Sequence, residues 1–191
     1  MLFATVCGCN RMNSKKYVGT ALDPLVDPAH VDTTKFNSEY LLYSTVKING
    51  LLPLQSKFAE FRKVIGKPDS LVNFNDTMDC QSYEEPYQYI YFQGNVFDLV
   101  NDTAIFQHLD FRTRPDLRLE CPAITLDSKT SLQEVEKLFP RAVHRMTTVN
   151  VQGSGPLRSI DLGASKQYAD EWWILFFDGD KLVRVDMYAP C

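Results

Sequence analysis

Large apolar residues crowd the C-terminal end of the chain, where residues 171–188 read EWWILFFDGDKLVRVDMY. An unbroken run from Trp172 to Phe177 meets Asp178-Gly179-Asp180, and an apolar-rich run leaves it. That pattern predicts a tight β-hairpin. A fainter copy lies at residues 87–100, YQYIYFQGNVFDLV, where Phe92-Gln93-Gly94-Asn95 aligns with Phe177-Asp178-Gly179-Asp180. Placing Gly179-Asp180 at the turn pairs Phe177 with Leu182, Phe176 with Val183, Ile174 with Val185 and Trp172 with Met187, which makes one face wholly apolar. The same register in the upstream copy pairs Phe92 with Phe97 and Ile90 with Leu99. By alternation, Ile90, Phe92, Phe97 and Leu99, with Leu175, Phe177 and Leu182, are expected on the covered face of a sheet. Tyr87, Tyr89, Tyr91 and Asp98 in one copy, and Trp172, Ile174, Phe176 and Met187 in the other, fall on the opposite face.

Ahead of each hairpin the apolar period changes. Phe58, Phe61, Val64 and Ile65 recur at helical spacing, with Ser56 as the N-cap and Gly66-Lys67-Pro68 as the stop. Residues 130–140, TSLQEVEKLFP, repeat that stripe as Leu132, Val135, Leu138 and Phe139, with a capping box from Thr130 to Gln133 and a stop at Pro140. Phe61 and Val135 are the central positions and are expected to be buried. Strands are predicted at 40–48 (YLLYSTVKI), 71–74 (LVNF), 104–111 and 117–126. The second copy is the longer one, and its extra residues are placed at 153–167, where Gly, Ser and Pro cluster as in a rim loop.

Each copy thus reads helix, strand, long connection, hairpin. One helix cannot cover a sheet, so the expected fold is α+β: two helix-plus-antiparallel-hairpin repeats forming one antiparallel sheet with helices on one face. This domain is placed at residues 40–191, with repeat one at about 40–112 and repeat two at about 117–191.

Composition adds few constraints. The 191 residues are 45% hydrophobic and 23% charged, as in ordinary globular chains, and a net charge of −4 without long charge runs gives no footprint for nucleic acid. Residues 1–9 are far shorter than the about 18 apolar residues a membrane-spanning helix needs. Val6-Cys7-Gly8-Cys9 resembles the lipobox of bacterial lipoproteins, with Cys9 as the lipid-anchored residue, and residues 10–39 read as a polar tether with two Asp-Pro steps. The implied location is the bacterial cell envelope, lipid-anchored on the periplasmic side, or secretion; a cytoplasmic location follows if the N-terminus is ordinary. Cys80, Cys121 and Cys191 would then remain, an odd number whose pairing is open.

Catalytic and cofactor signatures are missing from the pattern. Gly153-Ser154-Gly155 is not a nucleophile elbow, and His108 and His144 lack the close spacing of a metal-ligand pair. Asp178-Gly179-Asp180 is better explained as hairpin turn chemistry than as an acidic metal loop. No metal, no cofactor and no enzyme activity are expected.

The helices and hairpins together, SKFAEFRKVIGKPD at 56–69 with YIYFQGNVFDL at 89–99, and TSLQEVEKLFP at 130–140 with WWILFFDGDKLVRV at 172–185, resemble the tandem-repeat β-lactamase-inhibitor-protein fold and the small BamE (SmpA/OmlA)-type lipoproteins. The resemblance implies a non-enzymatic, extracytoplasmic module that grips another protein as an inhibitor, immunity-type protein or envelope-assembly factor. Tyr87, Tyr89, Tyr91, Trp172, Phe176 and Met187 are the expected contact residues, because aromatic side chains bury large areas with few rotors. A small-ligand carrier or structural lipoprotein is the alternative, and a hydrolase comes after that. The only membrane attachment expected is through Cys9.

Overall fold

Both hairpin signals form hairpins, and the strands around them build a larger sheet than local pattern predicts. The computed structural model describes residues 39–74, 83, 86–166 and 171–189. In chain order the elements are β1 (Lys47–Ile48), β2 (Leu52–Pro53), β3 (Gln55–Lys57), α1 (Phe58–Val64), β4 (Ser70–Asn73), β5 (Gln88–Phe92), β6 (Asn95–Val100), β7 (Thr103–Asp110) and β8 (Leu119–Glu120). They continue with β9 (Thr125–Leu126), α2 (Leu132–Leu138), α3 (Pro140–His144), β10 (Thr147–Val151), β11 (Gly155–Gly163), β12 (Trp172–Asp178) and β13 (Lys181–Tyr188). The large sheet has nine strands in the order β10-β11-β12-β13-β7-β6-β5-β4, with β3 also paired to β7; a second sheet has four, β2-β1-β8-β9. All strand pairs in both sheets are antiparallel.

This overturns the expected α+β class. The described residues are mostly antiparallel β structure in two sheets, and the helices are short, with seven residues in α1, seven in α2 and five in α3. The reason lies in the stops. Gly66-Lys67-Pro68 and Pro140 end the helical stripes after about two turns, the predicted strands 40–48 and 117–126 shrink to the short pieces β1, β8 and β9, and segments read as connections supply β2, β3, β10 and β11. Lys47 and Ile48 pair with Glu120 and Leu119, and two-residue strands of this kind carry no period to read. Residues 40–48 form a strand only at β1, since Tyr43–Thr45 is a 3-10 turn. The region expected as a rim loop contains β11, an inner strand between β10 and β12, whose Leu157, Ile160 and Leu162 are buried.

The core lies against one face of the large sheet. Phe61 and Val135 from the helices, with Ile48, Leu119 and Leu126 from the small sheet, pack into one cluster with Ile90, Phe97, Phe106, Leu109, Trp173, Leu175 and Val185. Phe61 and Val135 are fully buried, as expected of the central helix positions. Helix α2 is capped one residue later than predicted: Ser131 accepts from the Glu134 amide and the Glu134 carboxylate accepts from the Ser131 amide. Ser56 does not cap α1 and lies in β3 instead.

Register is corrected by two bulges. Asp178 faces Lys181 and Phe177 faces Leu182 as expected, but the pairing then slips, so that Phe176 faces Arg184, Ile174 faces Asp186, Trp173 faces Met187 and Trp172 faces Tyr188. Val183 is the unopposed residue. Straight pairing from Leu182 would turn Arg184 and Asp186 to the core, where unpaired charge is costly; one extra residue flips the parity and turns Val185 and Met187 inward. In β7, Gln107 is the extra residue between the pairs Phe97 with Phe106 and Val96 with His108, and the flip puts Leu109 in the core. The β5–β6 turn is Gln93-Gly94, with φ 47° and 81° as a two-residue I′ turn requires. Phe92 therefore faces Asn95, and Ile90 faces Phe97, two residues from the expected register. A slip of two leaves each side chain on its expected face.

Candidate functional site

Rings along β5 and just beyond the paired ends of β4 and β5 form a ladder on the sheet face opposite the core. Phe74 stacks on Tyr87 at a centroid distance of 4.5 Å, Tyr87 meets Tyr89 at 5.5 Å, and Tyr89 meets Tyr91 at 6.3 Å. Exposure increases along it. Tyr87 is buried beneath Phe74 and Tyr83, Tyr89 is half-buried, and Tyr91 is 39% exposed beside Val72 at 46%. Strand β4 ends the sheet and every one of its residues is exposed. Because the Phe74 amide donates to the Tyr87 carbonyl and Ser70 and Val72 pair with the same parity, the backbone N–H and C=O groups of Leu71 and Asn73 point away from the sheet.

The other expected contact residues are not drawn into this ladder. Trp172 stacks with Tyr188 at 4.9 Å, four strands away from β5, a separation of roughly 19 Å at the usual strand spacing. Phe176 is buried in a satellite cluster with Leu157 and Val183, beneath the Arg184 guanidinium. Met187 faces Trp173 and packs against the main core, which the bulge at Val183 dictates and which corrects its expected outward position. Between the two aromatic ends the face is polar, with Asp98, Gln107, His108, Arg184 and Asp186. Arg184 and Asp186 form a two-point ion pair, and burial followed by the nearby Arg184 charge pushes the His108 pKa down. Cys9, Cys80, Cys191 and the 10–39 tether up to residue 38 lie outside the described residues.

Sequence reasoning missed a second site, a wedge in the sheet. One edge of β7 pairs with β3 at residues 103–105 and with β13 at residues 108–110. The two partners diverge between those stretches and leave a cavity of about 380 Å³ lined by Tyr43, Gln55, Tyr83, Gln107, Glu171 and Tyr188 over an apolar floor that includes Phe106 and Met187. Behind its wall lies Asp98, 3% exposed, whose Oδ2 accepts from the Tyr83 hydroxyl at 2.9 Å and from Gln107 Nε2 at 2.5 Å. Its Oδ1 is buried and accepts no hydrogen bond from the described residues. Burial raises the Asp98 pKa to about 6, against the opposing effect of the two hydrogen bonds. Burial, then the charge of Glu171, holds the Tyr43 hydroxyl far above its ordinary value; burial and Asp98 do the same for Tyr83. The bulge is what aims Gln107 at Asp98. The available signal was Asp98 itself, a carboxylate between Phe97 and Leu99 inside an apolar strand.

Among the described residues no three His, Cys, Asp or Glu side chains converge as metal ligands. Cys121 is a free thiol whose pKa burial pushes up to about 12, so it is protonated and inert at neutral pH. No helix among the described residues is long and apolar enough to cross a membrane. Comparison with protein-family models, curated proteins and solved structures finds no match to the chain. The resemblance to β-lactamase-inhibitor-type and BamE-type modules therefore rests on the short sequence patterns quoted for it.

Proposed function

We propose that the protein is a non-enzymatic binding module that takes an extended segment of a partner protein along β4. The observation that carries this reading is the coincidence, among the described residues, of an open strand edge with an aromatic platform: the backbone groups of Leu71 and Asn73 point outward and pair with no described residue, beside Val72 and Tyr91. Main-chain hydrogen bonds to an exposed edge supply affinity, and alternate side chains resting on neighbouring rings supply selectivity. Tyr89 and Tyr91 are the contact residues of this reading, with Tyr87 as their support. Trp172, Phe176 and Met187 are not part of it. Anchoring through Cys9 in a bacterial envelope belongs to the same proposal and is supported by Val6-Cys7-Gly8-Cys9 alone.

Peptide display against the purified protein tests it. Leu71→Pro removes an outward N–H and leaves the β4–β5 ladder intact, while Tyr91→Ala removes the platform. Enriched peptides are expected to be extended and rich in β-branched or aromatic residues, and to lose at least about tenfold in affinity on each variant. Failure to enrich any peptide, or enriched peptides that bind both variants as well as the parent, would overturn the reading. Membrane partitioning that survives Cys9→Ser would remove the anchor from it.

A further inference from the structure

The wedge between β3 and β13 combines three features that a packed sheet does not need. It is a cavity of about 380 Å³, near the lower end of the range for small-molecule sites. Three of its walls are tyrosines, Tyr43, Tyr83 and Tyr188, and two more are the amides of Gln55 and Gln107. Its charged groups are all of one sign: Glu171 lines it, Asp98 stands one hydrogen bond behind Tyr83 and Gln107, and no Lys, Arg or His is among its described lining residues.

Those features select a ligand by elimination. An anion would meet two carboxylates with no compensating base, and a bare metal ion would find only one carboxylate on the wall. A neutral apolar molecule would answer neither the Glu171 charge nor the glutamine oxygens of the wall. An organic ammonium ion satisfies all of them, because its charge answers the carboxylates, its N–H or polarised C–H groups meet glutamine oxygens, and its alkyl groups rest on aromatic rings, whose electron-rich faces attract cations. Asp98 has a place in this arrangement as well. A carboxylate that keeps one oxygen without a donor in a buried position lacks positive charge nearby, and a cation in the wedge supplies it through Tyr83 and Gln107.

We propose that the wedge between β3 and β13 binds a small alkylammonium ion, with Glu171 as its direct counter-charge, the tyrosines as its walls and Asp98 as a buried carboxylate behind them. The site is independent of the strand edge at β4, and failure of either reading leaves the other standing.

Choline and its uncharged tert-butyl analogue are the probes, titrated calorimetrically into the full chain at low salt and about pH 8, above the Asp98 pKa of about 6. Choline is expected to bind at least about tenfold tighter than the analogue, and Glu171→Gln to reduce its affinity by about the same factor. Glu171 is exposed, so this variant should leave the fold intact, which its melting temperature checks. The groups facing Asp98 are Tyr83, Gln107 and Tyr89, with Tyr43 close enough to feel its charge. None of them is basic. Choline affinity should therefore fall as pH drops through about 6 in the parent, and Asp98→Asn should remove that inflection. Equal affinity for choline and the analogue, absence of choline binding, or choline binding unaffected by Glu171→Gln would each overturn the proposal.

Discussion

The indole N–H of Trp173 donates a hydrogen bond of 2.8 Å to the carbonyl of Leu41, in a buried setting and across 132 positions of sequence. It ties the start of the described chain to the centre of the large sheet, where the Leu41 amide also donates to the Gly163 carbonyl. Trp173→Phe keeps most of the buried ring and removes the donor, leaving a buried carbonyl unsatisfied. A loss of roughly 1–3 kcal/mol is expected, measured as a lower denaturant midpoint with an unchanged slope. No change in midpoint would show that water or another donor replaces the indole.

The bulge at Val183 is a parity device, so its side chain should matter less than its presence. Val183→Ala removes two methyl groups from the satellite cluster of Leu157 and Phe176 and should cost about 1–2 kcal/mol. Deleting Val183 leaves two outcomes, charged Arg184 and Asp186 turned into the core or a slipped hairpin, and either should cost several kcal/mol. Circular dichroism melts of the two variants make the comparison. A deletion variant that melts no lower than Val183→Ala would refute the parity argument.

Asp98 should make the protein more stable in mild acid than its charge balance suggests. Its folded-state pKa of about 6 lies above the ordinary carboxylate value, so as pH falls the folded chain takes up the proton before the unfolded chain does. By linkage its contribution to stability rises as pH drops through about 6 and levels off near the unfolded value of about 4. Asp98→Asn keeps an acceptor for Tyr83 and Gln107 and removes the buried charge. At about pH 8 it should raise stability by roughly 1–3 kcal/mol, and the difference from the parent should vanish below about pH 4. Unfolding midpoints across that range decide it, and a variant less stable than the parent at about pH 8 would contradict the assignment.

The start of α2 tests which residue caps it. Ser131 and Glu134 exchange hydrogen bonds, while Thr130 Oγ1 accepts from the Asp127 amide and donates to the Thr125 carbonyl. Ser131→Ala is expected to cost about 1 kcal/mol, and Gln133→Ala nearly nothing. A larger loss from Gln133→Ala, read from melting curves, would restore the capping box that residue spacing first suggested.

Local pattern alone was enough for the features that depend on neighbours in sequence. Asp178-Gly179-Asp180 marked its turn correctly, while the glycine of the upstream copy located a hairpin whose turn lies at Gln93-Gly94, one residue before the expected Gly94-Asn95. Alternation assigned Ile90, Phe92 and Phe97 to the core face and the tyrosines of β5 to the other, and helical spacing identified Phe61 and Val135 as buried. Those assignments follow from periods of 2 and 3.6 residues and survive a register slip of two.

Tertiary packing decided the rest, because the rest depends on contacts between segments far apart in the chain. Pairing decided how little of the predicted strands 40–48 and 117–126 survives as β1, β8 and β9, and β11 became an inner strand because β10 and β12 flank it, despite its Gly and Pro. The bulges at Val183 and Gln107 could not be read from spacing, since an added residue changes which face every later side chain takes, and only the cost of burying Arg184, Asp186 or His108 selects the answer. The wedge depends on the same kind of contact. Tyr43, Tyr83, Gln107, Glu171 and Tyr188 come from five separate stretches, and they surround one cavity because β3 and β13 share an edge of β7 without meeting.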